Sequence, residues 1–177
     1  TEFTIGETGF GTGLNFLLTL QTYIRLQNTK TLPPLHFIST EKYPLTKAQL
    51  ARSLESLPEI KRLSKMLIDV YPDSITENCT FTLLNGQIKV SLLIDDSTNA
   101  LSKIRVNKNG LVDAWYLDGF SPAKNPDMWQ APLFAEIARL SKEQATISTF
   151  TVAGHVRRKL IDVGFRLKKA AYIGNKS

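Results

Sequence analysis

The residues best suited to chemistry are an acid followed by three alternating glycines, Glu7-Thr8-Gly9-Phe10-Gly11-Thr12-Gly13, and further acids that close apolar runs. Glycine accepts positive φ and lets backbone approach a ligand where a Cβ would collide. The dinucleotide fingerprint is spaced G-x-G-x-x-G and the phosphate-cradling loop ends in Gly-Lys-Ser/Thr, and this turn has neither pattern. An acid at Glu7 repels a pyrophosphate and attracts an ammonium. S-adenosylmethionine carries an ammonium, a sulfonium and no phosphate, so the turn suits it better than a nicotinamide dinucleotide. From the turn alone, a tight connection packing helix on strand stays open. Glu41 closes a second run, His36-Phe37-Ile38-Ser39-Thr40, where a carboxylate can accept both hydroxyls of a ribose; a solvated acid beside Lys42 is the plainer alternative. Asp95-Asp96 follows Leu92-Leu93-Ile94, and there one carboxylate can accept an adenine amino group while the other caps a helix. We assign the adenine contact to Asp96.

A fourth run, Val112 to Leu117, leaves through Asp118-Gly119-Phe120-Ser121-Pro122-Ala123-Lys124-Asn125-Pro126-Asp127-Met128-Trp129. Two prolines in five residues restrict this loop and help hold a site in shape. Amine methyltransferases place an Asp or Asn at such a strand end, followed by proline and an aromatic residue. Asp118 there can orient an amine so that its lone pair points at a methyl donor, while Met128 and Trp129 read as core residues. His155, Arg157, Arg158 and Lys159 follow Gly154 and read as a helix start offering positive charge to phosphates, with a solvated helix face as the alternative. A lone Cys79 excludes a disulfide framework and a cysteine zinc site, and two histidines leave no multi-histidine metal site, so no metal is expected.

The elements that must position these groups alternate. Strands are expected at 3–6, 36–41, 112–117 and 145–149, helices at 14–27, 45–57, 59–70, 96–104, 130–140 and 154–163, and a hairpin joins 80–84 to 88–94 through Asn85-Gly86, a type I′ signal. A last strand is expected at 165–172. The face of the first helix is marked by Leu14, Leu17, Leu18 and Tyr23. Strands alternating with helices predict an α/β fold, a mostly parallel sheet with helices on both faces, in which ligands bind at the carboxyl ends of the strands. Glu7, Glu41, Asp96 and Asp118 then share one rim. With 177 residues, 42% of them hydrophobic and 21% charged, the chain is one globular domain's worth, read as a single domain over 1–177. The net charge of +6 suits a polyanionic partner. No apolar run approaches the roughly 18 residues of a membrane span, so no membrane partner is expected, and the reducing cytoplasm fits the cysteine usage. The chain opens at Thr1 inside a strand-like run and ends before the usual antiparallel edge strand, so it reads as a fragment truncated at both ends.

Four blocks, residues 7–17 (ETGFGTGLNFL), 36–45 (HFISTEKYPL), 113–129 (DAWYLDGFSPAKNPDMW) and 149–158 (TFTVAGHVRR), resemble the methyltransferase part of the MnmC family, bifunctional enzymes of tRNA 5-methylaminomethyl-2-thiouridine biosynthesis. The resemblance implies a class I, Rossmann-like methyltransferase. Its reaction moves a methyl from S-adenosylmethionine to the aminomethyl group of a wobble uridine in tRNA. It further implies that Glu7, Gly9, Gly11, Gly13, Asn15, Glu41 and Asp96 contact the cofactor, that Asp118 is the acid at the reacting amine, and that Phe120, Pro122, Lys124, Asn125, Arg157 and Arg158 meet the tRNA. In bifunctional members a fused FAD-dependent oxidase domain prepares the amine. FAD belongs to that domain, not to these residues, and the chain itself is expected to be a monomer. One departure is local: Ser141-Lys142-Glu143-Gln144 stands where many such enzymes have a Pro-Gly-Gly turn. A nicotinamide-dependent oxidoreductase and a non-catalytic RNA-binding module are the competing readings.

Overall fold

The first strand, β1 (Phe3–Thr8), is buried on both faces along almost its whole length, as a central strand between two helical layers must be, although Thr4, Glu7 and Thr8 are polar. Gly13 then takes a left-handed conformation and turns the chain into α1 (Leu14–Gln27). The computed structural model describes residues 1–117, 129–149 and 153–168. Over these the order continues with β2 (Leu35–Glu41), α2 (Lys47–Leu54), a 3₁₀ turn (Pro58–Ile60), α3 (Lys61–Val70), β3 (Cys79–Leu83), β4 (Ile88–Ile94), α4 (Ser97–Ser102), β5 (Val112–Leu117), α5 (Ala131–Leu140), β6 (Ser141–Thr149) and α6 (Gly154–Asp162). The six strands form one sheet in the order β3-β4-β2-β1-β5-β6. Every pairing is parallel except the β3–β4 hairpin.

Neighbouring residues of a strand point to opposite faces. Tyr116 of β5 packs with the cluster that binds α1, α2 and α3 to the sheet, whereas Trp115 and Leu117 belong to the cluster of α4, α5 and α6. Helices therefore cover both faces, as the alternation of elements predicts. Trp129 is 3% exposed, its ring 6.5 Å from Phe134, in the expected core role; Met128 lies outside the described residues. No helix among the described residues is long and apolar enough to cross a membrane.

Several details differ from expectation. The hairpin turn is displaced by one residue: Leu83 pairs with Ile88, Gly86 N donates to the Leu83 carbonyl at 3.2 Å, and the positive φ values of a type I′ turn fall on Leu84 (51°) and Asn85 (54°). Of the α1 face, Leu14 and Leu18 are exposed, and Phe16 and Leu20 are buried instead. The expected 45–57 helix starts only at Lys47, because Thr46 and Gln49 form a reciprocal capping box there. β6 begins at Ser141 rather than 145, with no intervening turn; Ser141 Oγ donates to Ile137 O at 2.7 Å and accepts from Trp115 Nε1 at 2.9 Å, so the last turn of α5 passes directly into strand. Residues 165–168 are not a strand, and the remainder of that expected element lies outside the described residues.

Candidate cofactor and acceptor site

From β1 the chain moves to β2 on one side and later fills β5 on the other, so the sheet reverses direction of growth at β1 and β5. Open α/β sheets bind ligands in the crevice outside the carboxyl strand ends at such a point. Because β1, β2, β4 and β5 run parallel, the ends marked by Thr8, Glu41, Ile94 and Leu117 share one edge. The acids expected on a common rim follow this topology: Glu7 is next to last in β1, Glu41 is last in β2, and Asp95 and Asp96 follow β4 at once. Asp118, Phe120, Pro122, Lys124 and Asn125 lie outside the described residues.

The glycine turn adopts backbone conformations that demand its residue type, with φ of 101° at Gly9, 53° at Gly11 and 70° at Gly13. Its first half hangs from β2, since Gly9 N and Phe10 N both donate to the Thr40 carbonyl, at 2.9 and 3.1 Å. Gly13 is a packing glycine: a Cβ there would lie 2.9 Å from Phe10 Cζ and 3.1 Å from Leu67 Cδ2. Gly11 differs, because a Cβ there would meet no atom within 4 Å. Its N–H donates at 2.9 Å to Glu41 Oε2, and Glu41 Oε1 accepts from Tyr43 N at 2.9 Å. The acid at the end of the second strand and the open glycine of the first turn are thus in direct contact.

Glu7 sits deeper. Its side chain is 1% exposed, with Oε1 accepting from Asn15 Nδ2 at 2.9 Å and Oε2 from Ser39 Oγ at 2.7 Å. The carboxylate therefore ties the first turn of α1 to β2 beneath the rim. Asp96 is the N-cap of α4, its Oδ1 accepting from Thr98 N at 3.0 Å. The residue assigned to the adenine is thus also the helix cap. Asp95 accepts from Lys103 Nζ at 2.7 Å, and that bond, with one from Asp96 N, holds its carboxyl below the usual range. Arg157 and Arg158 are exposed on α6, whose Val156 and Leu160 are buried. Lys159, expected beside them as a phosphate contact, instead donates to the Trp129 carbonyl at 3.1 Å.

Three supporting residues were not foreseen. Ser39 and Thr40 are fully buried, Thr40 Oγ1 lying 2.6 Å from Ser97 Oγ of α4; two consecutive small hydroxyl residues closing an apolar strand are their sequence signal. Tyr71 packs behind the glycine turn, and no local pattern marks it. Among the described residues no cluster of His, Cys, Asp or Glu could hold a metal.

Residues 58–177 match a family described as S-adenosyl-L-methionine-dependent methyltransferase. The chain belongs to this methyltransferase family. It is 46% identical over 178 residues to the tRNA 5-methylaminomethyl-2-thiouridine biosynthesis bifunctional protein MnmC of Vibrio cholerae O395, covering 99% of this chain and 26% of that protein. Against the protein of the same name from Aeromonas hydrophila it is 46% identical over 175 residues, covering 98% and 26%. The methyltransferase chain thus spans about a quarter of the length of these relatives, and the resemblance carried by its four blocks extends along the whole of it. The crystal structure of MnmC2 from Aquifex aeolicus superposes with a TM-score of 0.75 at 23% identity, covering 99% of this chain and 51% of that one, and shows the same fold.

The rim fits the methyl donor. A carboxylate has about four lone-pair positions, and Glu41 spends two on backbone N–H groups, which leaves capacity for ribose hydroxyls. At Gly11 a Cβ would stand in open space, with no atom of the protein within 4 Å of it.

Proposed function

We propose that this methyltransferase domain, over 1–177, methylates the aminomethyl nitrogen of 5-aminomethyl-2-thiouridine at the wobble position of tRNA, giving 5-methylaminomethyl-2-thiouridine. The observation that carries the cofactor half of the reading is the Glu41–Gly11 contact at the carboxyl ends of β2 and β1, beside the switch point of the sheet; the acceptor half rests on 46% identity to MnmC along 99% of the chain.

In this reading Glu41 accepts the ribose hydroxyls, the backbone of Gly9, Gly11 and Gly13 lies against the cofactor, and Asp96 receives the adenine amino group. Glu7 and Asn15 act together, the amide of one holding the carboxylate of the other so that the turn keeps its shape. Bound S-adenosylmethionine supplies a methyl group activated by its sulfonium. Asp118 directly follows Leu117, the last residue of β5, in sequence, and the carboxyl end of β5 shares its edge with those of β1 and β2. A carboxylate of reference pKa ~3.9 is a poor proton acceptor from an ammonium, so Asp118 orients the neutral amine and stabilises the positive charge that grows on nitrogen. Proton loss goes to water. Phe120, Pro122, Lys124 and Asn125 shape the acceptor side, and Arg157 and Arg158 meet phosphates. The name of the relatives and the quarter of their length matched here support a fused partner in the intact protein, an FAD-dependent oxidase domain that exposes the amine. A cytoplasmic, monomeric enzyme fits a tRNA substrate.

The test is transfer of labelled methyl by the intact protein to tRNA from a strain lacking the modification. Label in the wobble nucleoside is expected. Tight binding of S-adenosylhomocysteine without transfer would keep the cofactor site and overturn the acceptor.

A further inference from the structure

We infer that Tyr71 is a positioning residue for the cofactor rim, holding the glycine turn and the segment after Glu41 at a fixed separation; the inference rests on the rim being the S-adenosylmethionine site. Tyr71 follows α3 and is 2% exposed. Its ring stacks on Phe10 with centroids 6.3 Å apart and planes 17° from parallel, and Phe10 stands between Gly9 and Gly11. Its hydroxyl donates at 3.0 Å to the carbonyl of Leu45, four residues beyond Glu41. One side chain therefore touches both segments that the Glu41–Gly11 hydrogen bond joins. Phe81 of β3 also meets the ring, edge to face with centroids 5.9 Å apart, which ties it to that strand.

The surroundings reinforce this placement. Lys47 N donates to the Asp73 carbonyl at 3.1 Å, so the chain after Tyr71 is tied a second time to the segment after Glu41. Leu67, one turn earlier in α3, packs beside Gly13, its Cδ2 3.1 Å from where a Cβ there would lie. Burial, with the nearby Cys79 and Glu41, pushes the Tyr71 phenol up to about 12, so the hydroxyl stays a donor throughout the physiological range. The α2–α3 segment, which matches none of the four blocks, thus backs the half of the site that binds nucleoside.

Tyr23 is a built-in control. It too is buried, and its hydroxyl donates at 2.9 Å to the Pro33 carbonyl, but at the amino end of β2, away from the rim. The experiment compares Tyr71→Phe with Tyr23→Phe in the intact protein, reading S-adenosylhomocysteine affinity by calorimetry, KM and kcat for S-adenosylmethionine, and thermal stability. Both variants should lose similar stability, since each drops one buried hydrogen bond. Only Tyr71→Phe should raise Kd and KM, by about fivefold, with kcat within about twofold, because one net hydrogen bond is the interaction removed. Phe10→Leu reads the same coupling from the turn side and should shift Kd in the same direction. Unchanged affinity in Tyr71→Phe, or an equal loss in Tyr23→Phe, would overturn the inference. Failure of the wild type to bind S-adenosylhomocysteine would instead overturn the cofactor site, and this inference with it.

Discussion

The two ends of the sheet both fix carboxylates, with different partners. At the amino end Asp113 accepts from Lys142 Nζ through both oxygens at 2.8 Å and from Thr4 N at 2.8 Å. A cation cancels its charge, and the backbone bond ties β1 to β5. At the carboxyl end Glu41 accepts two backbone N–H groups and forms no ion pair among the described residues. Amide donors orient a carboxylate and leave its charge in place. The difference is one of partners: Asp113 is tied into the fold by a cation and a backbone amide, whereas Glu41 is oriented by two amides with no cation beside it among the described residues.

The largest effect that would sharpen this contrast lies at Asp118. Asp118→Ala should slow single-turnover methyl transfer by about 10²-fold or more while S-adenosylhomocysteine affinity stays within about twofold; a wild-type rate would leave positioning of the amine to backbone groups. Next come two glycines on either side of the contrast between fold and site, Gly6 in β1 and Gly11 in the turn that follows it. A Cβ on Gly6 would lie 2.4 Å from the buried Trp115 ring, so Gly6→Ala should cost about 2–3 kcal/mol in denaturant unfolding. Gly11→Ala meets only the strain of its positive φ, about 1 kcal/mol, yet should weaken S-adenosylhomocysteine binding more than Gly6→Ala does. The reverse order would break the distinction between the two positions.

Arg157→Ala with Arg158→Ala should lower tRNA affinity and reduce the slope of log K against log salt by about 2, as two lost phosphate contacts require. An unchanged slope would make these arginines a solvated face. The smallest effect belongs to the amino end. Burial, then the charge of Lys89, lowers the His36 pKa from 6.5 against the opposing pull of Glu2. The unfolded chain therefore binds this proton more readily, so His36 costs no stability above about pH 6.5 and stability falls as pH drops below it toward the lowered native value. His36→Gln should lose less Tm than wild type between pH 7 and 5.5, with cofactor affinity unaffected; parallel melting curves would contradict this.

How much of this was legible depends on the range of the interactions involved. The bounds of β5 and α1 match expectation because local signals frame them, Gly13 opening α1 and the acid Asp118 following β5. The phase of α1 was not legible, since apolar residues occur on every side of that helix and only the sheet decides that Phe16 and Leu20 turn inward. The polar run Ser141-Lys142-Glu143-Gln144 reads as a turn but belongs to β6, whose side chains are largely half-buried or exposed. Within the site, Glu41 and the glycines announce themselves by type and spacing. Tyr71 does not, because its contact with Phe10 spans most of the α1–α3 region and exists only after packing.

The central claim is that Glu41, unlike Asp113, has no cation partner among the described residues and receives a nucleoside in its place. Calorimetric titration of S-adenosylhomocysteine into the intact protein and its Glu41→Ala and Asp113→Ala variants tests it most directly. Glu41→Ala should raise Kd by about 10- to 100-fold, the worth of a charge-assisted hydrogen bond, and Asp113→Ala should lower stability with Kd within about twofold. Unchanged affinity in Glu41→Ala, or equal losses in both variants, would contradict the account.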